Sequence, residues 1–105
     1  MLKPDFERLL LEAVDEGLAS LGESSKQAIY FHLEKRFNVQ KQEIPCRIEA
    51  FTGAIEKIFG LGATFLESLI LKGLCEKIGL NAKEGLFKNL TFAETLVAVK
   101  RVMEH

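Results

Sequence analysis

The sequence predicts an all-α fold, a compact bundle of four main helices plus a C-terminal fifth helix. Apolar residues recur at three- and four-residue intervals in five stretches. No stretch of useful length alternates with period two, and no β-branched cluster stands between turn residues. The glycines fall largely where those helical periods stop, and proline occurs only at Pro4 and Pro45. At 105 residues the chain is one domain's worth, a single helical domain over 1–105.

The first helix is expected over about 5–21. Phe6, Leu9, Leu10, Ala13, Val14, Gly17, Leu18 and Leu21 share one face, Pro4 suits the start, and Asp5 and Glu7 favour the positive end of the dipole. Gly22 supplies the left-handed stop. The second helix, 24–37, opens on Ser24 with Gln27 three residues on, a capping-box pattern. Its stripe is Ala28, Ile29, His32, Leu33 and Phe37, and Asn38 ends it. Val39 to Ile44 reads as a polar linker through Gln40, Lys41, Gln42 and Glu43.

Pro45 then begins the third helix, 46–59, with Ile48, Phe51, Thr52, Ile55, Ile58 and Phe59 inward and Gly60 at its end. The fourth, 62–78, carries Ala63, Leu66, Leu69, Ile70, Gly73, Leu74 and Ile78 on its main face. Phe65, Leu71 and Cys75 add apolar bulk around the rest, so this helix is expected to be central or interfacial, and Gly79 ends it. Asn81 and Glu84 suit the cap of a single turn. Thr91 and Glu94 form a further capping box that opens the fifth helix, 92–104. His32–Val39 is weakly echoed 41 positions later by Gly73–Leu80, which reads as two similar helix ends rather than a repeat array.

Charge bounds the function. Fourteen Lys and Arg against fifteen Asp and Glu leave a formal charge of −1, and adjacent basic residues occur only as isolated pairs such as Lys35-Arg36. Nucleic-acid binding needs a clustered positive field, so no nucleic-acid partner is expected. Cys46 and Cys75 are too few for a disulfide framework and match no zinc spacing. Asp5, Glu7 and Arg8 break any secretory pattern, and the longest charge-free run, Ile58 to Leu66, falls far short of the ~20 residues of a membrane span. A cytoplasmic protein is expected.

The motifs of phosphate chemistry fail on inspection. Gly17 to Gly22 has the outer spacing of a phosphate loop, but Glu23 stands where lysine is required. Gly60-Leu61-Gly62 lacks the third glycine of a dinucleotide loop, Phe65 occupying its place. His32 is the only histidine inside a predicted element and has no nucleophile or orienting acid beside it. Joined by Cys46 and Cys75 from other helices, it would still be one ligand short of a metal site. Glu12, Asp15 and Glu16 read as a solvated helix face, and Glu84 stands alone. The sequence therefore predicts no enzyme, cofactor or metal.

An apolar surplus remains. The hydrophobic fraction is 48%; with the 8 glycines counted and the single tyrosine left out it is roughly 55%, against 45–50% in ordinary domains. Tyr30, Phe31, Leu71, Phe87, Val97 and Met103 do not all fit inward faces, which favours a self-complementary or partner surface. Tyr30 and Phe31 are the expected anchors, with His32 and Leu71 as further interface candidates.

The runs Leu18-Ala19-Ser20-Leu21-Gly22-Glu23, Ile29-Tyr30-Phe31-His32-Leu33, Glu43-Ile44-Pro45 and Ile58-Phe59-Gly60 resemble a small helical archaeal family, the Nitrosopumilus-type output domain, over about 9–80. The resemblance implies a signal-output or regulatory module with no established chemistry, and it carries over no functional residues. The expectation is thus a small non-enzymatic module acting by protein–protein interaction, with a second copy (a homodimer) or a signalling protein as partner. The alternative, from the same apolar surplus, is a carrier of an apolar small molecule held between helices.

Overall fold

The computed structural model describes residues 5–79 and 89–104. It is all-α: five helices, α1 (Phe6–Ala19), α2 (Glu23–Phe37), α3 (Ile48–Phe59), α4 (Ala63–Ile78) and α5 (Phe92–Glu104), joined in part by short 3-10 helices at Lys41–Cys46 and Gly60–Gly62. Among the described residues there is no strand. The turn expected around Asn81 and Glu84 lies outside the described residues, as do Pro4 and Phe87.

The helix α1 buries Phe6, Leu9, Leu10, Ala13, Val14, Gly17 and Leu18, the predicted face without its last member. Asp5 caps it by accepting from the Glu7 N–H at 2.9 Å. The helix ends at Ala19, so Leu21 sits in the turn with 37% of its surface exposed instead of packing inward. Gly22, at φ 108°, is the cap that begins α2, and no side chain takes that role. The Ser24–Gln27 pattern is therefore not a capping box. Gln27 instead donates to Glu23 at 3.4 Å. Ala28, expected on the stripe, is exposed.

Asn38 ends α2 in the left-handed conformation (φ 56°), and the Val39 N–H donates to the Leu33 carbonyl at 2.9 Å. Gly79 closes α4 in the same conformation (φ 80°). Leu33 and Leu74, the matching residues of the sequence echo, are both fully buried. The echo is a shared way of ending a helix.

The expected polar linker after Asn38 carries a 3-10 helix. Glu43 accepts from the Gln40 N–H at 2.8 Å to start it, and Ile44 and Pro45 are buried. Pro45 belongs to this element, so α3 begins at Ile48 rather than at 46. The Arg47 guanidinium donates to the Asn38 carbonyl and ties the two ends of the connection together.

Central α4 packs most extensively along α1 and also meets α3 and α5. The α1–α4 seam is antiparallel and close because both helices offer glycine to it: a Cβ on Gly17 would stand 3.0 Å from Ile70 Cγ1, and one on Gly73 3.9 Å from Ala13 Cβ. Lys77 borders the seam, paired with Glu16 at 2.9 Å and Glu12 at 3.7 Å. Phe51, Leu10, Leu18, Leu33, Ile44, Ile55, Leu66, Ile70, Leu74 and Leu96 form the fully buried centre.

Taken as one segment, Ile48–Ile78 has a mean hydropathy of 1.5 over its most apolar window, enough by length and composition for a membrane span. The backbone breaks at Gly60 (φ 58°, ψ −128°), leaving helices of 12 and 16 residues that pack on each other. Neither alone has the ~20 residues a span requires.

Candidate interaction surface

Successive residues of an α-helix point about 100° apart, so Tyr30 and Phe31 diverge although they are neighbours in sequence. Ile29 and Leu33 hold α2 on the core. Tyr30 leans from that stripe toward α1 and the 41–46 helix, where it is half-buried and its hydroxyl donates to Asp15 Oδ1 at 3.0 Å. Phe31 turns outward, with 57% of its surface exposed.

Asp15 is the hub of this corner. Lys26 of α2 approaches Oδ2 at 3.4 Å, and Lys41 approaches Oδ1 at 3.3 Å while its ammonium lies 5.0 Å from the Tyr30 ring centroid. Burial alone would raise the Asp15 carboxyl. The hydrogen bonds from Tyr30 and Lys41, the Lys41 charge and the Lys26 hydrogen bond outweigh it and hold the group below its usual value. The Tyr30 phenol is pushed well up, first by burial, then by its hydrogen bond to Asp15 and the charge of that carboxylate. Lys26 is shared with Glu23 at 3.1 Å, and its ammonium is held above the usual value first by that bond and then by Asp15.

These groups form one wall of an open hollow of about 860 Å³, with Phe31 on its rim and Gln27, Glu34, Gln40 and Gln42 around it. The result is an exposed aromatic ring beside a cross-linked polar frame, the make-up of an interface anchor and its surround. The hollow is open to solvent and edged by charge, unlike an enclosed apolar chamber for a small molecule.

The other two candidates separate from this surface to different degrees. His32 is half-buried, edge-on to Phe31 at 6.0 Å, and its Nδ1 is buried without a hydrogen-bond partner among the described residues. Leu71 lies on α4, half-buried against the core, and lines a different hollow between α4 and α5. The structure therefore places Tyr30 and Phe31 on one hollow, with His32 beside Phe31 but outside that lining and Leu71 on another hollow. Among the described residues no three His, Cys, Asp or Glu side chains converge as a metal site would require. Cys75 is buried, which pushes its thiol up, and Cys46 is exposed with its Sγ 3.7 Å from Glu7 Oε2.

Two features were not anticipated from the sequence. Asp15 was expected in a solvated face but is the residue on which the Tyr30 corner converges; its place beside buried Val14, at the edge of the stripe, is the only local signal. Leu61 is fully exposed and Phe65 is 65% exposed at the α3–α4 turn. Both lie in the charge-free run Ile58–Leu66; Phe65 belongs to the apolar bulk expected off the main face of the fourth helix, whereas no pattern marks Leu61 as exposed. Set against known proteins, the chain matches no family model, no curated protein and no solved structure.

Proposed function

We propose that this chain is a non-enzymatic regulatory or output module that acts by protein–protein contact, associating with a second copy of itself through the outward face of α2. The observation that carries this reading is Phe31: a large ring more than half exposed, standing on the rim of a hollow whose wall is fixed by the Tyr30–Asp15–Lys26–Lys41 contacts. A ring presented on a fixed frame loses little freedom on binding, and burying its exposed part is worth roughly 2 kcal/mol.

The test is Phe31→Asp compared with Val97→Asp, which places the same charge at an exposed apolar position on α5. Light scattering should show the first variant as a monomer and the second with the mass of the unaltered protein. Far-UV circular dichroism should be unchanged in both. A Phe31→Asp protein that keeps its helicity and the mass of the parent assembly would contradict the proposal.

A further inference from the structure

A second hollow, of about 260 Å³, lies between α4 and α5, with Glu67 and Leu71 in its wall. One carboxylate oxygen of Glu67 is buried and has no hydrogen-bond partner among the described residues. Among the described residues no lysine or arginine pairs with Glu67 or with nearby Glu56. We propose that this hollow is a binding site for a primary ammonium group carried on a short unbranched alkyl chain, the chemistry shared by a free alkylamine and a lysine side chain.

Each part of the hollow answers to a part of that ligand. The Glu67 carboxylate supplies the charge partner. Thr64, Ser68 and Thr95 supply hydroxyl oxygens, and an ammonium has three protons to give. Thr95 is 2% exposed and already spends its own proton on the Thr91 carbonyl at 2.8 Å, so its oxygen is left as an acceptor. Leu71, Leu90 and Phe92 give the apolar wall that an alkyl stem covers and a hydrated inorganic cation does not. Burial, and then the Glu56 charge, push the Glu67 carboxyl above its usual range, a cost that a bound cation relieves. This site shares no residue with the Phe31 hollow and does not depend on the proposed self-association.

The experiment is an NMR titration of the whole protein at neutral pH with n-butylammonium chloride, with matched potassium chloride as control, followed at the Thr64, Glu67 and Thr95 amides. The expected result is saturable shifts with half-saturation in the millimolar range, absent with potassium and weakened at least tenfold in Glu67→Gln. A parallel titration with a lysine whose backbone amine and carboxyl are capped and whose side-chain ammonium is free separates the sources. Binding of both ligands assigns the site to a lysine side chain, and binding of butylammonium alone assigns it to a free amine. Shifts that are linear and equal in butylammonium and potassium overturn the proposal, whether or not the Glu67→Gln variant folds.

Discussion

At Tyr30 a single hydroxyl decides how a charged corner is held. Its proton goes to Asp15, which also draws in Lys26 and Lys41, so the carboxylate has three donors from two other elements. Removing that hydroxyl in Tyr30→Phe should cost about 1 kcal/mol, a hydrogen bond to a charged group discounted because the corner is partly open to water. The cost should depend on pH in a defined direction. Asp15 is held below its usual value of 3.8 in the folded protein, so its contribution is complete above that value and is lost as pH falls through the lowered one. Urea unfolding of both proteins should give a gap at pH 7 that closes on acidification toward pH 2. A gap that stays constant would mean that the hydroxyl acts through packing and not through the carboxylate. The exposure of Phe31 is readable from the sequence, because Phe31 falls off the Ile29–Leu33 stripe. The role of Asp15 was not, because a charge at the edge of an apolar face looks solvated until a second helix and a distant lysine are brought to it.

At the scale of the element, the α1–α4 seam and the helix ends account for most of the architecture. Gly17 and Gly73 both lie on the seam, yet their surroundings predict opposite responses to alanine. A Cβ at position 17 would press on Ile70 Cγ1, close to the backbone of a fully buried side chain with little room to move. Gly17→Ala should therefore destabilise by about 1 kcal/mol after the gain in helix propensity is offset against overpacking. At position 73 the new methyl meets Ala13 at ordinary contact distance, so Gly73→Ala should stabilise by up to about 1 kcal/mol. Thermal unfolding of the pair checks the sign of each, and equal shifts would show that the seam is looser than these distances imply.

The helices themselves were legible because periodicity and caps agreed. The Thr91–Glu94 box forms in both directions, with Thr91 N–H to Glu94 at 2.9 Å and Glu94 N–H to Thr91 at 3.1 Å. Asn38 and Gly79 stop their helices as expected. What escaped were features too short for a period to register. The 3-10 helix at Lys41–Cys46 is anchored by buried Ile44 and Pro45 behind four polar residues. The cap of α2 differs from the expected one because Ser24–Gln27 has the right letters two residues too late, while Gly22 does the turning.

Among the described residues the exposed large apolar side chains are spread over several elements of the molecule. Leu21 lies in the α1–α2 turn, Phe31 on α2, Leu61 and Phe65 at the α3–α4 turn, and Leu90, Val97 and Val102 in and just before α5. Isolated apolar residues on a surface need no explanation, but an exposed ring set on a cross-linked frame does. Self-association is therefore proposed on α2, and the rest of the surplus is surface or wall of the α4–α5 hollow. Sedimentation equilibrium over a wide concentration range measures this most directly. The account predicts a dimer that persists on dilution into the micromolar range. A strict monomer at every concentration would contradict it.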